Sequence, residues 1–185
     1  MIGLDLFPTR FFEIQLDKVD AFNLLHEIVR KEDEIKIISL TRQNQSIDDY
    51  ITDFTYDRDS ENVKLDNIDK IFKVIKNNFE ENNSNIDIVD YWTSVYFKNG
   101  HHSLHNHRMD ILDRCNYSGI IYLSDLGSTD FYSTSLTSFH SKYQCVSKMG
   151  KVIIFPSDIP HVALPTYSEE NKRYVVAFNC EIRNK

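Results

Sequence analysis

The apolar positions change their period twice along the chain. The aromatic-rich stretch from Leu6 to Ile14, punctuated by Pro8, predicts an extended edge strand. From Asp20 the spacing becomes helical: Phe22, Leu25 and Val29 recur at three and four residues, and Leu24 and Ile28 widen the stripe. Between Ile35 and Tyr56, short apolar pairs alternate with Ser, Thr, Asn, Gln and Asp, and no period dominates, so this region reads as loop with possible strands. Ile68, Ile71, Phe72, Ile75 and Phe79 then share one helical face, with Lys70, Lys73 and Lys76 elsewhere around the cylinder. The run Glu80 to Asn85 ends this second helix, because short polar side chains bond to the backbone in competition with helical hydrogen bonds.

After Ile86 the chain becomes rich in β-branched and aromatic residues. Trp92 to Phe97, Tyr117 to Leu123, Lys151 to Phe155 and Tyr174 to Phe178 predict strands, divided by turn signals at Asn99-Gly100, Gly127-Ser128, Gly150 and Pro165. That density of short strands is the signature of a sandwich or barrel. The expected class is mainly β with packed helices (α+β). A length of 185 residues predicts one domain, with 1–85 giving mixed strand and helical support and 86–185 most of the β core.

Composition narrows the function classes. A hydrophobic fraction of 41% with 12% aromatic residues excludes disorder as the general description. Twenty-eight acidic against 21 basic residues give a formal charge of −7 and no linear basic patch, which disfavours nucleic acid and points to a small-molecule or protein substrate. Cys115, Cys145 and Cys180 are odd in number and widely spaced, so they suggest neither a disulfide framework nor a cysteine zinc site, and a cytoplasmic location is the expectation. The N-terminal residues do not read as a secretion leader, and no apolar run has the length of a membrane span.

Four of the seven histidines fall in Gly100 to His107. On a strand, His105 and His107 would project to the same side, ready to hold a metal; the competing reading is a histidine-rich loop exposed to water. His161, at the end of an apolar strand that begins at Gly150 and closes with Pro-Ser-x-x-Pro, is the candidate third ligand, against an ordinary structural histidine. Room for about four or five strands separates it from His107, enough for the histidines to meet across a barrel. Arg173 enters the following strand, where it either grips a dicarboxylate or lies on the surface.

The order His-x-His, strand, Gly-Ser-Thr-Asp-Phe-Tyr, strand, His, turn, Arg resembles the iron(II)/2-oxoglutarate-dependent dioxygenases, in particular the prolyl-hydroxylase-like group and the small oxygenases of phage and marine bacteria. The similarity covers about half the chain, Trp92 to Asn179, and the opening Leu-Phe-Pro-Thr is also usual in the small oxygenases. It implies a double-stranded β-helix (jelly roll, cupin-like). His105 matches the first histidine of the family's His-x-Asp and His161 the distal one. Arg173 matches the residue that binds the C5 carboxylate of 2-oxoglutarate. Tyr122 matches a strand tyrosine touching that carboxylate, and Tyr96 one nearer the metal. Arg114-Cys115 and the His161 to Pro165 turn fit the same pattern. Position 107 departs from it, being His where the family has Asp or Glu. The ligand set read here is His105, His107 and His161, with Asp110 or Asp113 as the alternative carboxylate.

What the resemblance implies is an Fe(II) site with 2-oxoglutarate in two open positions and O2 in the third, hydroxylating a substrate with release of succinate and CO2. His105, His107, His161 and Arg173 would be its catalytic set. Two rivals remain at this point. A three-histidine zinc enzyme for hydrolysis or hydration keeps the metal but leaves Arg173 unexplained, and a noncatalytic jelly-roll binding module needs neither. The substrate, small molecule or peptide, would be chosen by loops at the barrel mouth, for which Ile35 to Val63 and Thr129 to Lys148 are the candidates. No membrane partner is expected, and the oligomeric state is not readable.

Overall fold

The computed structural model describes residues 1–6, 9–33, 65–107, 115–134 and 142–184. Ten strands and two helices occur among them. The strands are β1 (Ile2–Leu6), β2 (Thr9–Gln15), β3 (Ser84–Tyr96), β4 (His102–His105), β5 (Tyr117–Tyr122), β6 (Ser128–Tyr132), β7 (Lys142–Val146), β8 (Lys151–Pro156), β9 (His161–Ala163) and β10 (Arg173–Asn184). Helices α1 (Lys18–Arg30) and α2 (Ile68–Glu80) lie between β2 and β3 in the chain. The strands form a six-stranded sheet in the order β1-β2-β8-β5-β10-β3 and a four-stranded sheet β4-β9-β6-β7, with every named pairing antiparallel. This is the double-stranded β-helix, mainly β with two helices attached. No helix among the described residues is long and apolar enough to cross a membrane.

The larger sheet is covered on both faces, which dictates its sequence. Val152 and Ile154 of β8, Ile121 of β5, and Val176, Phe178 and Cys180 of β10 pack with Ala21, Leu24 and Ile28 of α1 and with Ile68, Ile71, Ile75 and Phe79 of α2. The alternate residues Ile153, Phe155, Ile120, Tyr122 and Val175 point to the second sheet, where they meet Phe131, Cys145 and Ala163. Strands buried on both sides carry continuous apolar runs. Between the sheets, Phe131 sits edge-on to Phe11 and Phe155 at centroid separations of 5.3 and 4.7 Å, geometry that aromatic quadrupoles favour. Gly119 lies opposite Phe178, whose ring passes where a Cβ would stand, with an atom 2.1 Å away.

Several expectations need correction. Thr9–Gln15 is an inner strand, because β1 covers its outer edge and β8 its inner one. The first helix buries Ala21, Leu24, Glu27 and Ile28, whereas Phe22 and Val29 are exposed and Leu25 is half-buried; the buried face is rotated from the one that large apolar residues mark. Thr129 to Lys148 is not one loop, since Ser128–Tyr132 pairs with Lys142–Val146 as β6 and β7. The strand around Trp92 begins earlier, at Ser84, directly after the positive φ of Asn83. The Ile35 to Tyr56 region, most of Ile35 to Val63, and Asp110, Asp113 and Arg114 lie outside the described residues.

Glu27 ties the helices together. Asn67, at the N-cap of α2, makes no side-chain capping bond; instead the buried Glu27 carboxylate accepts the backbone N–H groups of Asp66 (2.5 Å) and Asn67 (3.0 Å) and the Asn67 amide (2.8 Å). Burial raises the carboxyl pKa, but these bonds and Lys31 at 3.4 Å outweigh it, so the net shift is below the usual 4.5. A depressed folded pKa contributes stability that is complete above about pH 4.5 and is lost as pH falls through the folded value. Glu27→Gln should therefore destabilise the fold by about 1–3 kcal/mol at pH 7, with a smaller difference from wild type below pH 4. Urea denaturation at both pH values checks this; equal midpoints at pH 7 would count against the capping role.

Candidate metal centre

Strand pairing brings the distant histidines together. In the β4–β9 ladder His105 stands opposite His161, and His161 is also the register partner of Phe131 on β6. The rings thus meet as neighbours in one sheet, where a barrel-spanning contact was expected. His107 is not on the strand with His105; it follows the end of β4, and its backbone N–H donates to Ser157 O at 2.8 Å in the turn between β8 and β9. One ligand atom from each of His105, His107 and His161 falls within 4.8 Å of the others. His107 Nε2 is 3.3 Å from His161 Nε2, inside the roughly 4 Å that two nitrogens sharing one first-row metal can span.

Two rings have their tautomer fixed by the backbone. His105 Nδ1 lies 2.7 Å from Ser103 O and His161 Nδ1 lies 3.0 Å from Ile159 O. A carbonyl only accepts, so Nδ1 carries the proton in each and Nε2 bears the lone pair that could bind a metal, the usual arrangement behind ligating histidines. Burial, reinforced by His105 and His107, holds the His161 pKa well below the ordinary histidine range, so the ring is neutral at neutral pH. The donor set therefore fits a divalent first-row ion. Of the other two clustered histidines, His102 stacks on His105 at 4.0 Å, and His101 Nδ1 approaches Asn99 O.

Arg173 begins β10 directly opposite Tyr96 of β3 and is only 1% exposed. Its Nη1 donates to Ser128 O (3.0 Å) and Nη2 to Thr129 Oγ1 (2.8 Å), while Nε has no partner. The guanidinium carbon lies 5.1 Å from the Tyr96 ring and 5.7 Å from the Tyr122 ring. No carboxylate among the described residues pairs with it. A buried charge held only by neutral groups, with an orphaned donor, is a cradle for an anion.

Tyr122 takes a different place from the one expected. It is fully buried behind the cavity wall and donates to Thr129 Oγ1 at 2.9 Å, so it meets the cavity through Thr129. Tyr96 lies at the arginine end of the cavity. Thr129, which the sequence does not mark, lines the cavity and accepts from both Tyr122 and Arg173, so its own hydroxyl proton is the donor left over. The three histidines, Arg173 and Thr129 line one cavity.

No protein-family model matches the sequence. No curated protein matches it either. Solved structures do. A prolyl-4-hydroxylase from Pseudomonas putida is 15% identical, with a TM-score of 0.60 over 96% of this chain and 95% of that one. A Trichoplax adhaerens prolyl hydroxylase, in complex with a hypoxia inducible factor oxygen degradation domain peptide fragment, gives 14% identity and a TM-score of 0.67 over 92% and 83%. The viral collagen prolyl hydroxylase of Paramecium Bursaria Chlorella virus-1, in its 2OG complex, gives 15% and 0.51 over 92% and 94%. The chain therefore has the fold of the prolyl hydroxylases and 2OG-Fe(II) oxygenases.

Gly127 guards the arginine. It adopts φ +79°, and a Cβ there would stand 3.1 Å from both Arg173 Cδ and Thr166 Cγ2. Gly127→Ala should lower stability by about 1–2 kcal/mol through the left-handed backbone alone, and should weaken anion binding at Arg173 as well. Thermal melts with and without 2-oxoglutarate test both effects; an unchanged Tm would contradict the strain.

Proposed function

We propose that this protein is an iron(II)- and 2-oxoglutarate-dependent oxygenase that hydroxylates a small-molecule or peptide substrate. One observation carries the reading: a convergent trio of imidazoles shares a cavity with a buried guanidinium that has no anionic partner among the described residues. His105, His107 and His161 would hold the metal. Arg173 would take the far carboxylate of 2-oxoglutarate, with Thr129 donating beside it and Tyr122 fixing the Thr129 hydroxyl from behind. When bound, iron and 2-oxoglutarate supply oxygen activation and substrate hydroxylation, with succinate and CO2 as coproducts.

The chain's own contribution is positioning. The β3–β10 ladder sets Tyr96 against Arg173, Ser94 against Val175 and Trp92 against Ala177, a wall running from the arginine end of the cavity to the His107 end. The six-stranded sheet and its aromatic neighbours exclude water behind it. Three histidines would suit zinc equally well, but a zinc hydrolase gives no reason to bury Arg173 unpaired. The peptide bound by the Trichoplax relative supports a peptide among the substrates to be screened.

The deciding experiment is anaerobic Fe(II) titration with and without 2-oxoglutarate, followed by a succinate assay in air across peptides, nucleosides and free amino acids. Stoichiometric iron binding strengthened by 2-oxoglutarate, with succinate release, is expected; tight zinc binding without succinate would replace the assignment. Arg173→Ala should weaken 2-oxoglutarate binding by about 1.5–3 kcal/mol, the loss of a charge-assisted contact, while leaving metal stoichiometry intact. Calorimetry that shows an unchanged cosubstrate affinity would remove Arg173 from this role.

A further inference from the structure

The third imidazole is supported differently from the other two. His105 and His161 are set by the β4–β9 register and by their Nδ1–H bonds to carbonyls. His107 lies beyond the strand, and its ring rests on the indole of Trp92, with centroids 5.3 Å apart and planes 27° from parallel. Trp92 is itself anchored within β3 opposite Ala177, on the cavity-facing side with Ser94 and Tyr96.

Charge makes this contact more than packing. Position 107 is where the resembled family has a carboxylate, and here it is an imidazole, which brings no negative charge. Among the described residues lining the cavity there is no Asp or Glu at all. An imidazole that donates to a dication becomes positively polarised, and the electron-rich face of an indole attracts such a ring more strongly than it attracts the free one. The stack is therefore stronger with metal present than without it, and by linkage it raises metal affinity.

We infer that Trp92 is a positioning residue of the metal centre: it orients His107 and, through its π face, makes up part of the negative charge that is missing without a carboxylate ligand. This rests on the three-histidine metal reading above. Trp92 is also the only tryptophan in the chain, so its absorption and fluorescence report on this site alone.

The test is Co(II) binding, read by the visible absorption of the ion in wild type and in Trp92→Leu, Trp92→Phe, His107→Asp and the His107→Asp/Trp92→Leu double variant. Trp92→Leu should weaken Co(II) about tenfold or more, within the range seen when groups supporting a ligand are removed, and should alter the band shape. Trp92→Phe should recover most of the affinity. With Asp at 107 the leucine change should have an effect of less than about twofold, the non-additivity of residues that act through one another. Equal affinities for wild type and Trp92→Leu, or a phenylalanine variant as weak as the leucine one, would overturn the inference while leaving the metal site standing. Failure of wild type to bind Co(II) overturns the metal reading and this inference with it. Should Trp92→Leu not fold, Zn(II) titration of wild type decides: a shifted indole spectrum supports the stack, and an unmoved one overturns it.

Discussion

A guanidinium enclosed in a β interior is the constraint around which this molecule is arranged. Removing a charge from water is expensive unless partners compensate, and Arg173 has a carbonyl, a hydroxyl and two aromatic faces. Those neutral partners come from three strands: Ser128 and Thr129 from β6, Tyr96 from β3 and Tyr122 from β5. Both sheets thus converge on one side chain. The positive φ of Gly127 lets the chain enter β6 close against it, and the β3–β10 register sets the distance from there to the imidazoles. An anion that settles on Arg173 completes the solvation that the fold leaves unfinished.

The histidine trio answers a second electrostatic problem. Three imidazoles supply no negative charge to a dication, in contrast to a set that includes an aspartate. In the proposed reading, the compensations near it would be the dianionic cosubstrate and the indole against His107. Arg173 makes one end of the cavity positive, and the chain's many acidic residues are absent from the described part of its lining.

Much of this was legible in the sequence, for reasons that also explain what was not. Both helices announced themselves by spacing, yet the face of α1 was misjudged because small Ala21 and charged Glu27 count for nothing in an apolar tally, although both are buried. The runs Val152 to Phe155 and Ile120 to Tyr122 read as strands from their β-branched content, but double-sided burial erases the alternation that would reveal which residues face the cavity. His105, His107, His161 and Arg173 stood out by clustering and by flanking turns, and the structure brings all four to one cavity. The β4–β9 pairing was invisible because four strands intervene in the chain. Thr129 carried no signal beyond the preceding Gly-Ser, since a threonine in a strand looks like any other.

The interleaving of chain segments in the larger sheet has a consequence for biogenesis. β2, early in the sequence, needs β8 as its inner partner, and β10, the last of the described strands, sits between β5 and β3. Nascent chain emerging from a ribosome can form β1–β2 and the helices, but the cover over their apolar faces stays incomplete until β8 and β10 arrive. Closure is thus dominated by long-range pairings, the condition for slow folding with exposed intermediates. Cellular yield will depend on how those unfinished edges are shielded during translation.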